Sequence, residues 1–279
     1  MRLRGVRGSG NVEDRRRRGG RAGAGIGGVG LLVVLAVGYF AGIDITPLLQ
    51  GQGGVPQSSA PRELTAEEKQ AGEFSARVLA TTEEVWGAIF PEQVGKPYRP
   101  PVMVLYSGVT SSPCGNASGA TGPFYCPADR KAYLDTEFFA TLARQMGARG
   151  DFAAAYVIAH EVAHHVQNEL GILSEVNKRR QAASQTEANA LTVRLELQAD
   201  CLSGVWARAV QGMLEPGDLE EALNAARKIG DDHLQKRAGR VPQPHTFTHG
   251  TSEQRSRWFA TGYQSGDPGQ CDTFSADRL

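Results

Sequence analysis

The sequence is most informative first through what it lacks. Its 279 residues carry 30 basic and 30 acidic side chains, so no net charge recommends it to nucleic acid, and no nucleic-acid partner is expected. It has four cysteines, Cys114, Cys126, Cys201 and Cys271, and no Cys-x-x-Cys pair, which argues against a zinc knuckle or a thioredoxin-like centre. Internal repeats are absent, which removes solenoids and propellers. Histidine is scarce, and three of the six stand within one short stretch, His160, His164 and His165.

The neutral average hides an asymmetry. Eight arginines against Glu13 and Asp14 give the first 21 residues a charge of +6, leaving about −6 for the rest. Residues 1–21 have no apolar period and read as a basic, disordered cytoplasmic tail. Ala22 to Phe40 is then 19 uncharged residues, which at about 1.5 Å per residue approaches the roughly 30 Å of a bilayer core. With arginine before it and no clean small-x-small cleavage site after it, residues 22–41 read as a single transmembrane signal anchor, N-terminus in the cytoplasm. Residues 42–61, rich in Gly, Gln, Ser and Pro, read as a flexible linker. Residues 62–279 are then the extracytoplasmic domain, where disulfides can persist. Four cysteines allow three pairings; Cys114–Cys126, which brackets a loop, and Cys201–Cys271 are the pairing expected.

Within that domain the patterning is mainly helical, with a small β-region. Thr65 followed by Glu68 is a capping-box start for a helix running to Phe90. Pro100–Tyr106 reads as a strand, 107–122 as a loop, and 123–135 as two short extended pieces about a turn at Pro127–Asp129. Helices are expected at 136–145, from Asp151 as cap to Gly171 as stop, from about Ser184 to Gln211, from Asp218 as cap to Arg237, and from Ser252 to Tyr263. The fold class is therefore α+β, a helical body with a small sheet, preceded by one transmembrane helix.

The second of these helices contains His160-Glu161-x-x-His164. Four residues apart on a helix, His160 and His164 project from one face and can share a Zn²⁺. Glu161, one step round the cylinder, can act on a metal-bound water. A hydrolytic zinc site asks for three protein ligands and an open position. In Leu195-Glu196-Leu-Gln-Ala-Asp200-Cys201 two carboxylates again stand four apart among apolar neighbours. One can ligate the metal, and the other can accept the outward N–H of a ligating histidine. Buried together without a cation the acids would be costly, and Arg194 scarcely compensates; zinc would. His165, about 100° round from His164, is read as a packed helix histidine.

His-Glu-x-x-His followed by Glu-x-x-x-Asp resembles the gluzincin metallopeptidases. More closely, Ala159-His-Glu-Val-Ala-His-His-Val-Gln167, Arg194-Leu-Glu-Leu-Gln-Ala-Asp-Cys201, Trp206 and His249-Gly-Thr-Ser-Glu-Gln-Arg255 resemble the bacterial neutral zinc metallopeptidases. The resemblance implies a zincin-like fold and zinc held by His160, His164 and Glu196. It also implies Glu161 as the catalytic acid–base and Asp200 as a partner behind the ligands. A peptide or protein substrate follows. A donor for the oxyanion is needed as well. Among His233, His245, His249, Tyr133 and Tyr156, the Gly-flanked His249 is the choice. Phe124-Tyr125, pinned by a Cys114–Cys126 bridge, could offer an edge strand to an extended peptide. The competing readings are a catalytically idle zinc protein of the envelope, against which an intact Glu161 argues, and a chance motif, against which the second carboxylate pair argues.

Overall fold

The computed structural model describes residues 1–17, 63–118, 122–144 and 146–279. A four-stranded sheet and a helical body form one core. The strands are β1 (Val12–Asp14), β2 (Val102–Tyr106), β5 (Phe124–Cys126) and β6 (Lys131–Asp135), in the order β1-β2-β6-β5. β1, β2 and β6 run parallel, and β5 is antiparallel to β6 at one edge. Alternation sends Met103, Leu105 and Leu134 into the main core, and Val104, Tyr106 and Tyr133 to the opposite face. That second face lies beneath a hairpin of β3 (Val109–Ser112) and β4 (Gly115–Ser118), where the sequence suggested only a loop. The Cys114–Cys126 disulfide ties this hairpin to β5.

The helices are α1 (Ala66–Ile89), α2 (Phe138–Arg144), α3 (Asp151–Glu169), α4 (Ile172–Gln181), α5 (Gln185–Ala209), α6 (Asp218–Lys228), α7 (Asp231–Arg237) and α8 (Ser252–Ser265). The Thr65–Glu68 capping box opens α1 as expected, and Ser184–Glu187 and Thr251–Gln254 open α5 and α8 in the same way. Gly171, with φ of 78°, stops α3. α4 was not foreseen, and the single helix expected over 218–237 is broken at Gly230 into α6 and α7. Asp151 does not cap α3. Gly150 holds that position with φ of 108°, and the Phe152 amide donates to the Glu221 carboxylate of α6 at 3.1 Å. A Cβ on Gly150 would lie 1.9 Å from that carboxylate, so glycine is what admits the borrowed cap.

The alanine-rich α3 is buried along nearly its whole length, against β5 and β6 on one side and α5 and α6 on others. α5 and α8 pack closely because each carries a glycine at the crossing. A Cβ on Gly204 would meet the Phe259 carbonyl at 2.1 Å, and one on Gly262 the Cys201 carbonyl at 1.8 Å. The Cys201–Cys271 disulfide, as expected, joins α5 to the chain after α8.

The N-terminal residues depart most from the sequence reading. They are not a free tail: β1 pairs with β2, and Met1 and Leu3 are buried in the main core. The reason is local composition: Asn11-Val-Glu-Asp14 offers a strand with its own charge partners amid the arginines. Glu13 meets Arg15 and Lys131, at 2.8 and 2.7 Å, and Asp14 meets Arg16 at 2.6 Å. The expected anchor (22–41) and linker (42–61) lie outside the described residues. Among the described residues no helix is long and apolar enough to cross a membrane.

Candidate metal centre

Helical periodicity fixes the first half of the site. His160 and His164 stand one turn apart on α3, rings 4.8 Å apart between centroids. α5 crosses this face and brings Glu196 up to both. One Glu196 carboxylate oxygen is 3.1 Å from His160 Nε2, and the other is 3.4 Å from His164 Nε2. The three ligand-type atoms all lie within 4.8 Å of one another. Four-coordinate zinc with bonds of about 2.0–2.1 Å spaces its ligand atoms roughly 3.3 Å apart, close to the two histidine–Glu196 separations.

The outward nitrogens explain why both Nε2 atoms converge. His160 Nδ1 lies 2.9 Å from an oxygen of Asp200, one turn along α5 from Glu196, an ion-pair contact that engages Nδ1 and leaves Nε2 towards Glu196. His164 is oriented by a chain of amides. Gln198 donates to the Cys271 carbonyl at 3.0 Å, which leaves its oxygen to accept from Gln167 at 3.1 Å. Gln167 also donates to the Leu195 carbonyl at 2.7 Å, so its own oxygen faces His164 Nδ1 at 2.9 Å as an acceptor. The hydrogen placement follows from these acceptors. Sequence reasoning missed Gln167 and Gln198; the Gln at three residues beyond His164 was the available signal.

Asp200 is fully buried and needs a cation. Arg194 is not that cation; its guanidinium serves the carbonyls of Thr273, Phe274 and Ala276. Arg255, 2% exposed in the first turns of α8, grips Asp200 with two bonds of 2.8 and 2.9 Å. Tyr156 donates to Asp200 at 2.5 Å, so its hydroxyl is committed there and is not offered to a substrate. Burial opposes ionisation of Asp200, but Arg255 and His160 outweigh it and hold the carboxyl down at about 2. Burial likewise opposes the protonated His160, and Asp200 and Glu196 raise it to about 10. Burial pushes the Glu161 carboxyl up, partly countered by His164 and His160. With both imidazoles neutral, as ligands must be, three carboxylates, Glu161, Glu196 and Asp200, face one buried guanidinium, an excess of negative charge that suits a dication.

His249 sits in a loop organised by Asp231. That buried carboxylate accepts the backbone N–H groups of Thr248, His249 and Gly250 at 2.8, 2.6 and 3.0 Å, and lies 3.3 Å from His249 Nδ1. The imidazole is held but half exposed. Desolvation lowers its proton affinity, while Asp231 and Glu196 raise it further. The remaining oxyanion candidates go elsewhere. Tyr133 stacks on Phe124 across the sheet and donates to Asp129. His233 lies on α7, and His245 lies in a turn between α7 and α8. His165 is packed as expected: its Nε2–H donates to the Arg99 carbonyl at 2.6 Å, and Nδ1 accepts from Tyr125 at 2.9 Å. That last bond ties the edge strand β5 to α3.

The family described as "Putative neutral zinc metallopeptidase" matches residues 1–274. The uncharacterized protein YpfJ of Escherichia coli K12 is 50% identical over 98% of this chain and 99% of its own. The uncharacterized protein Rv2575 of Mycobacterium tuberculosis H37Rv is 44% identical over 73% of this chain and 71% of its own. No solved structure matches.

Proposed function

From the premise that this chain belongs to the neutral zinc metallopeptidase family, we propose that it is a zinc-dependent peptidase. His160, His164 and Glu196 hold the metal, and Glu161 is the general base. The observation that carries the reading is the convergence of both Nε2 atoms on Glu196, with both Nδ1 atoms tied back. Bound zinc would supply a Lewis acid that polarises the scissile carbonyl and lowers the pKa of water. Glu161 takes the proton from the attacking water and returns it to the leaving amine nitrogen. Its burial favours the protonated form, which makes it a better base than an exposed glutamate. Asp200, fixed by Arg255 and Tyr156, keeps the His160 ring in the tautomer that presents Nε2. Asp231 holds His249 at the rim of the site, where its N–H can meet the developing oxyanion. The edge strand β5 is available to a peptide in extended conformation.

The decisive comparison is Glu161→Gln against the native full chain, measuring zinc by mass spectrometry and peptide-library cleavage with and without chelator. Zinc content should be unchanged, and cleavage should fall by about a thousandfold, within the range general-base removal produces. Retention of full cleavage by the variant would remove Glu161 from the chemistry. Chelator-insensitive cleavage by the native chain would remove the metal.

A further inference from the structure

The N-terminal arm and the metal centre belong to one folded body, and that constrains how the chain can meet a membrane. Residues 8–16 are bound from several directions. The Ser9 amide donates to the Ala76 carbonyl of α1 at 2.9 Å, while the Ser9 and Asn11 side chains both donate to Glu83, at 2.7 and 2.8 Å. The Asn11 carbonyl accepts from Met103 and the Arg15 amide donates to Leu105, each at 2.8 Å, which seats β1 in register on β2. Arg15 reaches Thr110 and Ser111 of the hairpin, and Glu13 reaches Lys131 of β6 at 2.7 Å. Arg16, 5% exposed, hydrogen-bonds the Glu68 carbonyl and lies against α1 where the helix has Gly72. A Cβ at that glycine would lie 2.4 Å from the guanidinium. The family match includes this arm.

Residues 18–62 connect the arm to the rest of the chain in sequence. Within them, Ala22–Phe40 is the uncharged run long enough to cross a bilayer, and one crossing would put the arm and residues 63–279 on opposite sides. A return crossing would need about 20 further apolar residues. Residues 41–62 instead contain Asp44, Pro47, Pro56, Pro61 and several glutamines. Pairing β1 with β2 through a bilayer is excluded by distance, since neighbouring strands lie about 4.8 Å apart. An arm supplied by a second copy would face the same restriction.

We propose that residues 1–17 and residues 63–279 lie on the same side of any membrane this chain engages. A single-pass anchor with a cytoplasmic tail and an extracytoplasmic domain is incompatible with that arrangement. The proposal is independent of the chemistry at the metal centre.

Cysteine labelling of the full chain tests it directly. Among the described residues no cysteine is free, so Arg7→Cys in the arm and Val241→Cys, at a position 81% exposed, each introduce a single accessible thiol. A membrane-impermeant maleimide is applied to spheroplasts before and after lysis, with denatured protein as the full-labelling control. The two positions should respond alike, both labelled or both protected in intact spheroplasts, with a ratio of about one. Labelling of one before lysis and the other only after it overturns the proposal. Docking is read separately from Glu13→Lys, Lys131→Glu and the double reversal. Each single change should lower Tm and the double should recover part of the loss; strictly additive losses would mean that the arm is not docked, and would overturn the proposal too.

Discussion

The two ends of α3 carry superficially similar clusters. Near its C-terminal half, His160 and His164 meet Glu196; at its N-terminus, Asp151 stands with Asp218 and Glu221. Both place three ligand-type groups within bonding reach of a single ion, yet their surroundings differ. At the first, two imidazoles and a carboxylate converge, and the groups behind them are tied to Asp200, Arg255 and Gln167. At the second, all three groups are carboxylates and each already has work. The Met1 ammonium lies 2.9 Å from Asp151 and 3.1 Å from Asp218, and Glu221 caps the helix through the Phe152 amide. Ligand types within reach of one another do not make a metal centre. What distinguishes one is donors aimed together by partners that leave their inner lone pairs unused.

This contrast can be broken most severely at Arg255. Its guanidinium and Asp200 are both buried, so Arg255→Met leaves that carboxylate with only Tyr156 and His160 and should cost about 3–5 kcal/mol in denaturant unfolding. A loss no larger than that of an exposed pair would show that Tyr156 and His160 suffice to hold Asp200. Zinc binding sharpens the contrast next. Zinc in about hundredfold excess over its Kd should stabilise the native chain by about 2.7 kcal/mol, because the unfolded chain does not hold the three ligands together. Glu196→Gln should lose most of that gain, whereas Glu221→Gln should keep it, in calorimetric scans with and without metal. If the two variants respond equally, the ends of α3 are not distinct. The smallest effect is expected from Glu221→Gln without metal. Gln retains an acceptor for Phe152 but loses the charge near the helix N-terminus, so unfolding should shift by roughly 0.5–1 kcal/mol.

Much of the site was legible because its elements are local. Four-residue spacing on α3 and α5 sets which side chains share a face, and hydrophobic neighbours around Glu196 and Asp200 foretold their burial. The same reasoning demanded a cation for the buried acids, found Arg194 insufficient and turned to zinc, without seeing Arg255. Arg194 serves backbone carbonyls near the C-terminus, and it is Arg255, 55 residues beyond Asp200, that neutralises the acid. The arm was misread for a related reason. Eight arginines in 21 residues suggest solvation, while the pairing partner of Val12–Asp14 lies at Met103–Leu105. Asp151 suggested a cap because it stood at the right position, but the cap came from Glu221 across a glycine.

By itself the sequence determined most of the helices, the Thr65–Glu68 capping box, the His160–Glu161–His164 face and the Glu196–Asp200 face, since each depends on contacts within a few residues. Tertiary structure decided the crossing of α5 over α3, the charge partner of Asp200, the amide chain behind His164, the loop that holds His249 and the seating of β1. These depend on which surfaces approach closely, as Gly204 and Gly262 allow α5 and α8 to do. Helical periodicity says which side chains point together; it carries no information about which distant segment they will meet.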